Sequence, residues 1–427
     1  MMSAGDEFSP GSVQSHQLVA WPRVAAVAAM VAFSLPTFVT GLTIADGLPA
    51  NLFLWAFLIG CLITTAVGMC MGAIGSRTRL SSYLLVRIAF GDRGAGVVNL
   101  AFAVSLLGWY GVNINLFTGA VDRLARSLFD QQFSPIVLAV GASICMTVTC
   151  LIGFRAINLI SVLLVPVLVA VTFLLARFAV AEHSVSDIVG MEKAATASLG
   201  DSVSAIVGAV VIGAIILPDI TRFCRHWSGA LHTALISYLL VQMVVLSAAG
   251  LAGTVTGETD ILQLMLDASL GFGAFAIVII GSWVLNSLNL YSAVLGVKAT
   301  FPRLNTFALT ITLGVIGVAA ALMNILDHFI TFLFYLSVIF IPVAGVIIVD
   351  YFLIRSENYR DPEALTRNAA LNIKGLIAWA AGAVAALLME EGLVPSLSRI
   401  AAIDAVALAA LVYFALSFRS RQTQVQT

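Results

Sequence analysis

The sequence predicts an all-α integral membrane protein of about twelve transmembrane helices, and three observations carry that expectation. Of the 427 residues, 60% are hydrophobic and only 10% are charged, with a mean hydropathy of +1.05. A water-soluble domain carries about a quarter charged residues, so this chain has too few to cover itself in water. Apolar windows near the roughly 20 residues that a helix needs to cross the hydrocarbon core recur along the whole chain. The short alternating segments of a transmembrane barrel are missing. Lipid tolerates only helices or closed barrels, so a helical bundle is expected.

In chain order, spans are expected near 24–45, 52–74, 95–120, 135–153, 156–180, 202–219, 229–254, 272–297, 304–324, 329–354, 374–389 and 400–418, the eleventh being short. The first twenty residues are polar and acidic and lack the charged n-region of a cleaved signal, so the first span is expected to be retained. If the N-terminus is inside, sixteen of the 21 basic residues fall inside. The positive-inside rule then places both termini in the cytoplasm of a multi-pass cell-membrane protein. The five cysteines lie in or at the ends of spans without a CxxC pair and read as packing residues.

Loops are short, the longest being 181–201 and 354–373. The second divides a ten-span body from a two-span tail, the outline of a five-plus-five transporter with two added helices. The expected units are a tail at 1–20, five-helix repeats at 21–180 and 181–354, a loop with helices 11–12 at 355–418, and a tail at 419–427.

Two spans carry helix breakers at matching places. The first has Pro36 in mid-helix with Gly41 close behind; the sixth has Gly208 and Gly213 in its middle and Pro218 towards its inner end. Proline removes an N–H and clashes with the carbonyl four residues earlier. Carbonyls freed in mid-membrane are tolerated only where they line a cavity or bind something. Pro36 and Pro218 lie 182 residues apart, the length of one five-helix repeat, and inverted-repeat transporters place their sites at such paired breaks.

Polar side chains in lipid are expensive, and here they cluster. In the third span Ser105, Trp109 and Asn113 share a face, with Tyr110 adjacent. An indole beside a carboxamide suits a planar heterocycle, with stacking on its face and hydrogen bonds at its edge. In the eighth span Ser282, Asn286 and Asn289 recur on one side, near Ser287, Tyr291 and Ser292. The third-span group alone reads as packing and interhelical hydrogen bonding; the two intramembrane asparagines of the eighth read as a hydrophilic seam facing the broken helices. No Asp or Glu lies near the middle of a span. Asp46, Asp219 and Asp350 sit at helix ends, where pairing with Arg222 or solvent is expected.

Several segments resemble the nucleobase–cation symporter family that contains the cytosine and purine permeases. They are GWYGV at 108–112, the loop GAIGSRTRLSSYLLVRIAFGDRG, PDITRFCRH at 218–226, the W…N…LYS pattern of the eighth span, and IPVAGVIIVDYF at 341–352. The resemblance runs across the first ten spans. It implies a LeuT-like fold with spans 1 and 6 unwound around a midplane site, the substrate lying between spans 1, 3, 6 and 8. It also implies that Trp109 passes the pocket and that the backbone around Phe33 and Pro36 offers carbonyls to sodium. The chain departs from the cytosine permeases at Leu106, where the family has glutamine, and at Gly281, where it has asparagine. Val210 and Ile212 make the sixth-span stretch more apolar. Val284 and Leu285 stand where the family has paired threonines, and sodium is a hard cation that wants oxygen ligands.

The expected function is secondary import of a nucleobase or related small heterocycle by alternating access, without cofactor or structural metal, coupled to sodium or protons. The candidate substrate residues are Ser105, Leu106, Trp109, Asn113, Val210, Ile212, Gly281, Asn286 and Asn289, with Phe33 and Pro36 for the ion. The expected partners are the small-molecule substrate and membrane lipid, with no nucleic acid, and the protein is expected to be a monomer. An amino-acid carrier on the same fold is the alternative, its unwound amides meeting a carboxylate. HExxH, GxSxG and phosphate-loop motifs are missing, which argues against a membrane enzyme or a self-contained ATP-driven pump.

Overall fold

A computed structural model describes residues 13–181, 183–268, 276–322, 329–359 and 370–425. The polar first twelve residues, positions 272–275 and 323–324 of the eighth and ninth expected spans, and Arg360 and Arg367 lie outside the described residues. Among those described, ten helices are long and apolar enough to cross a membrane, or eleven if one bent pair counts as a span. Thr306–Ala321 is apolar but has only 16 residues. Each expected window coincides with one of these elements.

The first span is the bent pair, α1 (Trp21–Ala32) and α2 (Leu35–Gly47), which meet at 48°. Pro36 lies in the first turn of α2, where a missing N–H costs nothing, and it cannot carry the ladder of α1 onwards. The break frees the Val31 carbonyl, and the chain's own hydroxyls take it: Ser34 Oγ donates at 2.7 Å and Thr37 Oγ1 at 3.2 Å. Next come α3 (Ala50–Thr78), α4 (Ser82–Phe129), α5 (Pro135–Ile152) and α6 (Phe154–Ala179). Helices α5 and α6 are the least enclosed of these, and Ile144, Leu159, Leu163 and Phe173 project from them as a lipid-compatible surface.

A short α7 (Val185–Val189) precedes the sixth span, α8 (Leu199–Ile215) and the single turn α9 (Pro218–Thr221). Here the structure corrects the sequence reading. The helix runs unbroken through Gly208 and Gly213 and is interrupted at Ile216 and Leu217, just before Pro218. Gly208 serves close packing instead: a Cβ there would collide with the Leu333 carbonyl. Gly208→Ala is therefore expected to force the two helices apart and cost about 1–3 kcal/mol, read as a lowered unfolding temperature in detergent; an unchanged midpoint would contradict the contact.

The seventh span joins α10 (Trp227–Ala234), a π-helical stretch (Leu235–Val241) and α11 (Gln242–Thr256). Beyond α12 (Ile261–Asp267) and a second π-helical stretch (Ala276–Gly281) lie α13 (Ser282–Thr300), α14 (Thr306–Ala321), α15 (Phe329–Val349), α16 (Ile373–Glu390) and α17 (Ala401–Val425). The almost wholly buried α8 packs between α3 and α15, α13 packs along α4, and α16 and α17 pack on each other and on α15.

Gly91, with φ 77°, separates residues 82–90 from the rest of α4 in a conformation that glycine accepts best. This short helix is held at both ends by side chains from elsewhere. At its start Ser82 donates both its N–H and its hydroxyl to Asp219 Oδ1, each at 2.8 Å. At its finish Asn372 Nδ2 donates to the Ala89 carbonyl at 2.6 Å, and Arg355 Nη2 to that of Ile88 at 3.4 Å. A carboxylate at the positive end and a guanidinium at the negative end both oppose the helix dipole.

Candidate substrate site

One cavity opens at the break in the first span, between that break, α4, α8, the seventh span and α13. Val31, Ser34 and Pro36 line it from the first span, and Leu106 and Trp109 from α4. From the sixth span come Val210, Ile212, Gly213 and Ile216. Leu285, Leu288, Asn289 and Ser292 of α13 complete the wall, together with Tyr238 of the seventh span. The lining is mostly aliphatic with few polar groups, the usual make-up of a small-molecule site.

Trp109 is fixed as a wall. It is nearly buried, and Phe332 and Phe329 of α15 meet it in edge contacts, with centroids 5.4 and 6.2 Å away. Such contacts lock an indole without using its hydrogen bond. Asn289 Nδ2 donates to Asn286 Oδ1 at 3.4 Å, while Asn286 Nδ2 donates to the Tyr110 carbonyl at 3.2 Å. Asn286 thus ties α13 to α4 and orients Asn289 from behind.

Of the sequence-predicted residues, Leu106, Trp109, Val210, Ile212, Asn289 and Pro36 come together around this cavity. Ser105, Asn113, Gly281 and Asn286 are not part of its lining. Asn113 turns back on its own helix, Nδ2 donating to the Trp109 carbonyl at 2.8 Å, as a polar residue in lipid does when no other acceptor is near. Gly281 faces the first-span break instead, where a Cβ would stand 3.2 Å from the Phe33 carbonyl. Phe33 itself caps α1, its N–H donating to Ala29.

Two features escaped the sequence reading. Asp219 does not face solvent. It is fully buried behind the cavity-lining Ser292, whose Oγ lies 3.5 Å from Oδ2, and it grips Ser82. Arg222 Nε donates to its backbone carbonyl at 3.2 Å. The proline before Asp219 was the available signal, since it marks the turn that aims the side chain across the bundle. Tyr238 sits inside the π-helical stretch, where the α-helical periodicity fails.

Beside this floor of Ser292 backed by Asp219, Arg79 donates to the carbonyls of Arg222 (2.9 Å), Cys224 and Arg225 (3.1 Å), collecting backbone acceptors left beyond α9. Burial lowers the pKa of its guanidinium from the ordinary arginine value. The segment before α1 closes over the same place: Val19 N–H donates to the Phe223 carbonyl at 2.9 Å and Arg225 N–H to that of Val19 at 3.3 Å.

Comparison with known proteins accords with this geometry. The family model described as permease for cytosine/purines, uracil, thiamine, allantoin matches residues 21–414. The cytosine permease of Escherichia coli K12 is 28% identical over 397 residues, covering 92% of each chain. Among solved structures, the nucleobase-cation-symport-1 transporter Mhp1, closed with bromovinylhydantoin bound, superposes with a TM-score of 0.81 at 18% identity, over 95% of this chain and 93% of that one. Its inward-facing form gives 0.78 at 17%, over 97% and 95%. A Na+-coupled sialic acid symporter gives 0.66 at 14%, over 96% and 92%. With the broken first span, the cavity beside it and a family match along almost its whole length, this chain belongs to the family of permeases for cytosine, purines, uracil, thiamine and allantoin.

Proposed function

We propose that the protein imports a nucleobase or a closely related planar heterocycle across the cell membrane by alternating access. The observation that carries this reading is the meeting of the Trp109 wall, the oriented Asn289 amide and the first-span break around one enclosed space. The ring would lie against Trp109, and Asn289 would bond its edge. The family match and the cytosine permease relative support this substrate class. The uneven distribution of basic residues supports cytoplasmic termini, and the two proline breaks support the five-plus-five repeat with a two-helix tail. We read the working unit as a monomer in lipid that needs no cofactor or nucleic acid. A thermal-shift screen of the purified protein against nucleobases, hydantoins and amino acids tests the reading. Stabilisation by nucleobases is the expected result, and stabilisation by amino acids alone would overturn it.

The same reading extends to the coupling ion. Leu285 lines the cavity and Val284 is buried beside it, and neither side chain brings an oxygen. The Val31 carbonyl freed by the break is already bonded by Ser34 and Thr37. A hard cation would find few ligands there, which supports uptake driven by protons and not by sodium. Uptake by proteoliposomes at fixed pH should be nearly indifferent to a sodium gradient and should respond to a proton gradient. A steep rise with inward sodium would refute this.

A further inference from the structure

We propose that Tyr238 determines substrate specificity: its hydroxyl, offered by the seventh span, hydrogen-bonds an exocyclic oxygen on the edge of the bound heterocycle. This rests on the function proposed above and adds a recognition group from a span that the sequence reading did not assign to the site.

The geometry of the ring points to a ligand. Tyr238 is 1% exposed, and its ring lies against Gly68 of α3, where a Cβ would stand 2.9 Å from Cδ2 and Cε2. The glycine lets the ring lie flat on the helix backbone, so the phenol is gripped along its length. The hydroxyl emerges at the cavity beside Gly213 and Val31, where the first and sixth spans approach each other. Among the described residues none accepts from it or donates to it. More than nine in ten buried polar groups find a partner, and leaving one without is costly. The other two hydroxyls of the lining are committed to the protein, Ser34 to the Val31 carbonyl and Ser292 to Asp219. Tyr238 is the hydroxyl left open.

The backbone that carries it is unusual as well. Tyr238 stands in the middle of seven π-helical residues. Such stretches are rare, are less well bonded than α-helix and gather at functional sites. Widening the helix here turns the residue away from the register set by α10. Asn289 supplies the complementary group: one Nδ2 hydrogen is used on Asn286, and Oδ1 is left to accept. A ligand with a ring N–H for Asn289 and an oxo group for Tyr238, the edge of a cyclic amide, satisfies both. An amino group can only donate to the phenol oxygen, a poorer acceptor than the phenol O–H is a donor, so amino-substituted rings without an oxo group are held less well.

The test uses the full-length protein in detergent and compares Kd values for uracil, hypoxanthine and adenine. Tyr238→Phe keeps the ring and removes the hydroxyl. It should weaken the oxo-heterocycles about three- to tenfold and adenine, bound more weakly from the start, by a smaller factor. Gly213→Ala provides a second route, because its methyl would lie 3.4 Å from the hydroxyl and cover it with the tyrosine in place; the same selective loss is expected. Equal Kd values in the wild type and the variants would overturn the role of Tyr238 while leaving the transport reading standing. Failure of every heterocycle to bind the wild type would overturn both. Should Tyr238→Phe not fold, Gly213→Ala decides: selective loss supports the assignment and unchanged affinities refute it.

Discussion

Trp109→Ala should abolish saturable uptake while the protein still reaches the membrane. The indole is the largest flat surface in the cavity lining, and Phe329 and Phe332 hold it still. Truncating an aromatic anchor of this kind costs about 2–4 kcal/mol of binding, or about 30- to 1,000-fold in Kd. The same change removes a core side chain, and large-to-small substitutions of that size cost about 3–5 kcal/mol of stability. Uptake must therefore be normalised to inserted, monodisperse protein. Trp109→Phe keeps a stacking face and should fall between wild type and alanine. Saturable uptake of normal affinity in the alanine variant would remove Trp109 from the site.

Asp350→Ala should destabilise the protein more than any surface change. Asp350 is fully buried and receives Arg355 Nε and Nη2 at 2.9 and 3.0 Å, Tyr359 at 2.6 Å and Tyr413 at 2.7 Å. Burial opposes the charge on Arg355, yet the adjoining carboxylate raises its pKa above the ordinary arginine value. Removing one partner of such a pair leaves the other charge without compensation, at about 3–5 kcal/mol. Thermal unfolding in detergent reads the loss. Asp350→Leu combined with Arg355→Met should recover part of it, because an apolar pair of similar volume leaves no buried charge behind. A drop below about 1 kcal/mol for Asp350→Ala, the size of an ordinary substitution, would show that the cluster is not what joins these helices.

The spans were legible because lipid leaves the backbone no choice: an apolar run of sufficient length becomes a helix wherever it falls. The first-span break was legible for a similar reason, since proline's missing N–H acts locally at Pro36. The sixth span shows the limit. Gly208 and Pro218 look alike as helix breakers, but Gly208 keeps its helix and spends its missing side chain on the Leu333 carbonyl, a residue 125 positions later in the sequence. Helical spacing placed Trp109 and Asn113 on one face, yet only Trp109 lines the cavity, because the Asn113 amide found its acceptor one turn back. Asn286 and Asn289 divide between support and lining for a similar reason. The partner of Asp219 is 137 residues away, and no local pattern encodes such a pairing.

The nine-residue helix at 82–90 has a mechanical consequence. Its leading end is clasped by the carboxylate under the chamber floor, and its trailing end by a guanidinium that also bonds the Tyr413 hydroxyl at 3.2 Å. It is a peg set between the Asp219 turn of the sixth span and the two-helix appendage, α16 and α17. Deleting that appendage would loosen the peg at its far end and let the floor sag around Ser292, so a shortened chain should leak or stall even though every lining residue survives.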